Sequence, residues 1–151
     1  MRQMTDLALR SQCSVIGVMQ VAPAEVGSYG IVETGPMDGN AATITRMVEK
    51  PRAGTTPSTL AVVGRYVLSG RLFDHLRAMP PGAGGEIQLT DGIARLLAEE
   101  RVLAYAFDGR RYDCGSKLGY VEATVDFSLK HPELAEPFAA FLREHCARLR
   151  Q

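Results

Sequence analysis

Ser14–Val21 (SVIGVMQV) is almost continuously apolar, which predicts a strand covered on both faces. Ahead of it, residues 5–12 predict a short helix with Thr5 as its cap. Ala22–Tyr29, with Pro23 and Gly27, reads as a loop. Gly30–Glu33 and Thr43–Glu49 then read as two strands that pair as a hairpin around the turn signal Met37-Asp38-Gly39-Asn40. Strict alternation along the second strand sends Ile44, Arg46 and Val48 to one face and Thr45, Met47 and Glu49 to the other. Leu60–Leu68 (LAVVGRYVL) is the next strand, and Val102–Phe107 the last. Helical spacing appears from Ser69 to Met79 (Leu72, Phe73, Leu76) and from Glu86 to Glu100 (Leu89, Ile93, Leu96, Leu97). It returns from Lys117 to Lys130 (Leu118, Val121, Val125, Leu129) and from Glu133 to Leu149 (Leu134, Phe138, Phe141, Leu142). Strands and helices mix throughout, which predicts an α/β fold with a mixed sheet flanked by helices, in a single domain over residues 1–151.

Composition narrows the partners more than the chemistry. Lys+Arg and Asp+Glu both number 17, so bulk charge favours neither nucleic acid nor an anionic membrane surface. A hydrophobic content of 46% is that of an ordinary globular chain, and no apolar run has the length of a membrane span. Cys13, Cys114 and Cys146 are odd in number, far apart and without zinc-ligand spacing, so the expectation is a cytoplasmic protein. His75, His131 and His145 are equally dispersed and form no triad or metal cluster in sequence.

The candidate chemistry gathers at strand ends. Glu49 and Lys50 close a strand just before Pro51, which cannot donate to a ladder and biases Lys50 to an extended conformation. The pair would then project to opposite sides, a carboxylate suited to vicinal hydroxyls and an ammonium suited to a phosphate. Gly64 interrupts its strand where a side chain would be costly or a ligand comes close. Gly84-Gly85-Glu86-Ile87-Gln88-Leu89-Thr90-Asp91 sets glycines before a helix whose first turns carry acids, a placement that the helix dipole alone would explain. Tyr112-Asp113-Cys114-Gly115 reads as a further strand-to-loop junction, with Asp113 either a turn former or, given a second oxygen ligand and a phosphate, a Mg²⁺ ligand.

Taken in order, SYGIV (28–32), VEKP (48–51), AVVGRYVL (61–68), PPGAGGEIQLTD (80–91) and DCGSKLGY (113–120) resemble the C-terminal half of bacterial UTP–glucose-1-phosphate uridylyltransferases. The resemblance covers the chain from about Ser14 onward. It implies part of a Rossmann-like nucleotidyltransferase fold, with UTP and glucose 1-phosphate as substrates and Mg²⁺ as cofactor. By the same resemblance Gly30 would meet the sugar through its backbone, Glu49 would accept from sugar hydroxyls, and Lys50 would hold the sugar phosphate. Val63 and Gly64 would line the sugar pocket, Glu86 would border it, and Asp113 would be one of two metal aspartates.

The family's glycine-rich nucleotide loop and first metal aspartate have no counterpart here. The expectation is therefore a truncated or split form, inactive alone, that self-associates or joins a separate N-terminal half. An unpaired edge on the Val15–Val21 strand would favour such association. The alternatives are another sugar-1-phosphate nucleotidyltransferase, of thymidylyltransferase type, or a non-catalytic sugar-phosphate-binding or assembly remnant.

Overall fold

Five strands and their pairings organise the first 108 residues. The computed structural model describes residues 1–52, 54–82 and 85–149. In chain order the elements are α1 (Arg2–Ser11), β1 (Ser14–Gln20), a 3₁₀ turn (Pro23–Ser28), β2 (Gly30–Thr34), β3 (Ala41–Glu49), β4 (Leu60–Val67), α2 (Leu72–Ala78), α3 (Leu89–Leu96), β5 (Val102–Ala106), α4 (Lys117–Ser128) and α5 (Ala135–Arg148). They fall into two compact units, Met1–Asp108 and Gly109–Gln151.

In the first unit the strands follow one another in a closed circuit, β1-β4-β2-β3-β5 and back to β1. Among the described residues only β1 and β5 pair in parallel, with Ser14 opposite Val102 and Val18 opposite Ala106. The other pairings are antiparallel. The mixed α/β class is thus borne out, as is the hairpin, whose register runs from Gly30↔Glu49 to Val32↔Met47. The expected free edge on β1 is not there, because its two sides are taken by β4 and β5.

Both faces of β1 are covered, as its apolar run requires. Ile16 and Val18 enter the main core, with Val32, Ile44, Met47 and Val62 from the neighbouring strands and Leu72, Ile93 and Leu96 from α2 and α3. Val15 turns the other way onto Met4 and Leu103, beneath α1. Met19 packs against Val21, Val26, Ile31 and Ala61, so the segment expected as a loop is a one-sided lid with Val26 as its buried anchor. A Cβ on Gly92, in α3, would lie 2.6 Å from Leu76 Cδ2, so a larger residue would have to displace the leucines of α2. That contact sets how closely α2 and α3 approach.

Two irregularities correct the simple alternation. In β3 the pairing steps from Glu33↔Arg46 to Thr34↔Ile44, so Thr45 is an extra residue, a β-bulge. Ile44 and Met47 consequently share the core face that strict alternation denies them. Arg46 stays outside, ion-paired to Glu33 at 3.5 Å. In β4 the register shifts between Ile16↔Tyr66 and Val18↔Val62, leaving Val63, Gly64 and Arg65 opposite Gly17 alone. Gly64 has φ +70, and a Cβ added there would meet nothing within 4 Å, so the glycine serves the backbone and not a close approach.

α1 begins earlier than expected, at Arg2 with Met1 and not Thr5 as its cap, whereas α2 and α3 begin later than the apolar spacing suggests. α2 starts at Leu72 and α3 at Leu89, with Gln88 as its cap, so Glu86 lies ahead of the helix. Gly84, part of the expected glycine loop, lies outside the described residues.

The second unit is small, and its helices bury little. Ala123 is the buried residue of α4, while Leu118, Val121 and Leu129 are exposed. α5 buries none of its described residues fully, and Leu134 and Phe141, expected inside, are also exposed. A pair of helices has too few neighbours to cover every apolar position.

Gly64→Ala should destabilise the chain by about 1 kcal/mol through left-handed backbone strain without any clash. Urea unfolding measures it, and an unchanged midpoint would show that the β4 bulge relaxes without a glycine.

Candidate functional site

Glu49 is the last residue of β3, and the Thr45 bulge decides where it points. With Met47 returned to the core face, Glu49 two residues on faces the same side. There its carboxylate meets α3: the Thr90 hydroxyl donates to Glu49 Oε2 at 2.7 Å. Thr90 is 9% exposed and Glu49 half-buried, so the bond is largely withdrawn from water. Opposite, on β2, Gly30 completes the wall. A Cβ added there would lie 3.0 Å from Glu49 Oε2, 3.6 Å from Met47 Cε and 3.7 Å from Thr90 Oγ1. Glycine at position 30 therefore leaves room for the Glu49–Thr90 pair, which a larger residue would crowd.

Tyr66 belongs to the same neighbourhood electrostatically. Burial, and secondly the Glu49 charge, push its phenol above the ordinary value. The hydroxyl thus stays protonated well into alkali. Because the folded-state value is raised, the associated stability is present below pH 10 and is lost as pH rises through the raised value.

Lys50 departs from the extended geometry expected of it. Its backbone is left-handed, with φ 42, while its N–H donates to the Tyr29 carbonyl at 3.0 Å. That bond extends the β2–β3 ladder by one rung before the chain turns at Pro51, which is buried. Proline favours extended backbone in the residue before it, so Lys50 takes its left-handed conformation against that preference. The Lys50 side chain is exposed, beside a carboxylate that faces inward.

Val63 and Gly64 sit in the β4 bulge, half-buried and exposed respectively. Glu86 is exposed, and its carbonyl accepts from Gly82 N–H at 2.8 Å, closing the loop before α3. A Cβ on Gly82 would meet Asp91 Oδ2 at 3.2 Å, so that loop also folds tightly onto the first turn of α3. Gly30 and Glu49 are thus brought together. Thr90 joins them although spacing alone marked it only as part of a helix start. Its burial was the missing signal, and burial is not visible before α3 is docked.

Asp113, in the second unit, does not follow a strand. β5 ends at Ala106, and Asp113 lies in the turn before α4. Its Oδ1 accepts from Gly115 N–H at 3.1 Å, and its carbonyl accepts from the Ser116 hydroxyl at 3.0 Å. Ser116 in turn caps α4 by accepting from Gly119 N–H. A Cβ on Gly119 would collide with the Asp113 carbonyl, so α4 holds this turn directly against its first residues. Upstream, Arg110 pairs with Glu122 at 2.8 Å and Asp126 at 3.4 Å, and Tyr112 donates to Asp126. Asp113 is therefore fixed from both sides by α4. No cluster of three or more His, Cys, Asp or Glu side chains suited to a metal occurs among the described residues. No helix of the described residues is long and apolar enough to cross a membrane.

Comparison with known proteins gives this geometry a family. The nucleotidyl transferase family model matches residues 2–129, and the chain belongs to that family. Among characterised relatives, the UTP–glucose-1-phosphate uridylyltransferase of Staphylococcus epidermidis is 42% identical over 143 residues, covering 95% of this chain and 50% of the relative. That of Bacillus subtilis is 42% identical over 142 residues, covering 94% and 49%. Among solved structures, a UDP-glucose pyrophosphorylase complexed with UDP-glucose superposes with a TM-score of 0.79 at 41% identity, over 86% of this chain and 49% of that one. A UTP-bound UGPase from Acinetobacter baumannii gives 0.82 at 39% identity, over 94% and 49%. The chain spans about half the length of the curated relatives it matches.

Glu49→Gln should lower the Tyr66 pKa toward 10.0 without reaching it, since burial, the larger cause, remains. Carbon-13 NMR titration of labelled tyrosine reads the change. An unmoved Tyr66 would mean that the carboxylate does not face the phenol.

Proposed function

We propose that this chain supplies the sugar-phosphate side of a UTP–glucose-1-phosphate uridylyltransferase, making UDP-glucose and pyrophosphate from UTP and glucose 1-phosphate. The observation that carries the reading is the inward Glu49 carboxylate, walled by Gly30 and bonded to Thr90, immediately followed by the exposed Lys50. Relatives about 42% identical over nearly the whole chain, named for that reaction, support it.

The roles follow from the donor and acceptor inventory. Glu49 has lone pairs beyond the one taken by Thr90, and these accept from sugar hydroxyls. Gly30, with no side chain, lets the sugar approach the β2 backbone. Lys50 brings an ammonium to the phosphate, and its left-handed backbone sets it apart from the carboxylate's direction. Val63 and Gly64 border the sugar, as does Glu86. The phosphate oxygen of glucose 1-phosphate, already anionic near neutral pH, attacks the α-phosphorus of UTP, and pyrophosphate leaves. No general base is required. The barrier lies in aligning two polyanions, so binding and charge placement by these residues are the catalytic contribution.

Asp113 offers a hard carboxylate of the kind Mg²⁺ takes, since that ion uses one or two carboxylates and keeps several waters. Its Oδ1 serves the turn, which leaves Oδ2 as the oxygen for the ion. A lone carboxylate is only part of a metal site, and the reading assigns the rest to the complementary half of such an enzyme. Bound there, Mg²⁺ would screen the phosphate charges. On this reading the enzyme works in the cytoplasm, and the residues of this chain account for the sugar-phosphate side of its site. A thymidylyltransferase-type enzyme is the second reading. A structure described as a putative glucose-1-phosphate thymidylyltransferase from Bacillus anthracis shares the fold, with a TM-score of 0.62, but only 19% identity.

Two measurements test the assignment. In calorimetric titration with glucose 1-phosphate, Lys50→Ala should weaken binding more than Glu49→Ala, since a charge-assisted contact to phosphate outweighs contacts to neutral hydroxyls. Equal binding by the parent chain and Lys50→Ala would refute the role of the lysine.

In an assembly with the N-terminal half of a relative, Asp113→Asn should reduce Mg²⁺-dependent UDP-glucose formation by at least about a hundredfold while circular dichroism stays unchanged. Full turnover by the variant at low Mg²⁺ would leave Asp113 as a turn residue alone.

A further inference from the structure

Thr90 stands out because its hydroxyl serves a residue 41 positions away in sequence instead of its own helix. Serine and threonine in a first helical turn commonly bond the local backbone, and α3 has no side-chain cap. The Thr90 hydroxyl has one proton, and Glu49 Oε2 receives it at 2.7 Å in a largely dry setting. Across the β2–β3 ladder, Gly30 leaves this oxygen its room, because an added Cβ would lie 3.0 Å from it. The carboxylate is thus held by α3 beside the bare backbone of Gly30, with one oxygen committed and the other left to present its lone pairs.

We propose that Thr90 is a positioning residue for sugar recognition: its hydroxyl fixes the Glu49 carboxylate so that Oε1 meets the sugar hydroxyls of a hexose 1-phosphate. The inference rests on the assignment of Glu49 to the sugar made above. Its chemical content is pre-organisation. A glutamate on three rotatable bonds loses freedom when a ligand orders it, and a neighbour that has already ordered it removes that loss from the binding step. The bond also gives selectivity, because a carboxylate held in one orientation cannot swing to follow a hydroxyl of different stereochemistry.

The alternative role for the same bond is to dock α3 onto β3, and a double-mutant cycle separates the two. The measurement is calorimetric titration of the full chain with glucose 1-phosphate, for the parent, Thr90→Val, Thr90→Ser, Glu49→Ala and the Thr90→Val/Glu49→Ala pair. Thermal unfolding of each variant reports on docking. Thr90→Val, which keeps the shape and removes the donor, should weaken binding about five- to tenfold. Thr90→Ser should restore affinity to within about twofold, and Thr90→Val should add nothing once Glu49 is alanine. An equal loss in both backgrounds would overturn the proposal, because Thr90 would then act without Glu49. Unchanged binding in Thr90→Val, with Glu49→Ala weakened, would overturn it while leaving the sugar assignment standing. Absence of binding by the parent chain, or an indifferent Glu49→Ala, would remove the assignment of Glu49 and the proposal with it.

Discussion

One extra residue in β3 decides what the rest of the first unit can do. Without the bulge at Thr45, Ile44 in the core would be followed inward by Arg46 and Val48, and Glu49 would face water. With it, Met47 joins Val32 and Ile93 in the main core, and the next residue on that face is a carboxylate at the rim of α3. The core's need for an apolar Met47 and the site's need for an inward Glu49 are met by the same insertion. Arg46, displaced outward, gains Glu33 as a neighbour, so the bulge leaves no buried charge behind.

That arrangement explains which features could be read from the sequence. β1 was legible because an almost continuously apolar run has nowhere to go but between two covered faces, and Val15 and Ile16 indeed enter opposite cores. The β2–β3 hairpin was legible from its turn. The bulge was not: period-two reading has no term for an extra residue, and only the pairing of Glu33 with Arg46 and Thr34 with Ile44 reveals it. Gly30 and Glu49 were recognisable through the motifs around them, whereas Thr90 required knowledge of how α3 docks. The late start of α3 was hidden as well, because Glu86 has good helical propensity but its carbonyl is taken by Gly82 in the preceding turn.

The second unit shows a different limit. Its helical spacing was read correctly for α4 and α5, yet spacing predicts a face and not its covering. What the sequence around Asp113 encodes most firmly is local: the aspartate's turn, the Ser116 cap and the obligatory smallness of Gly119 are successive parts of one α4 N-terminus. Arg110 and Tyr112 add a polar brace on Glu122 and Asp126 that hydrophobic patterning has no means of registering.

The closed circuit of strands also orders events during synthesis. β1 leaves the ribosome well ahead of its parallel partner, β5, which is complete only at Ala106. Until then β1 has at most β4 beside it within the circuit, and β3 has β2 but not β5. At about 5–20 residues per second, the nascent chain carries two open strand edges for several seconds. Both are closed by one late strand, β5, which pairs with β1 on one side and β3 on the other. The native circuit is therefore completed by β5, and the interval before that strand arrives is when a chaperone or another nascent chain could compete for the same edges.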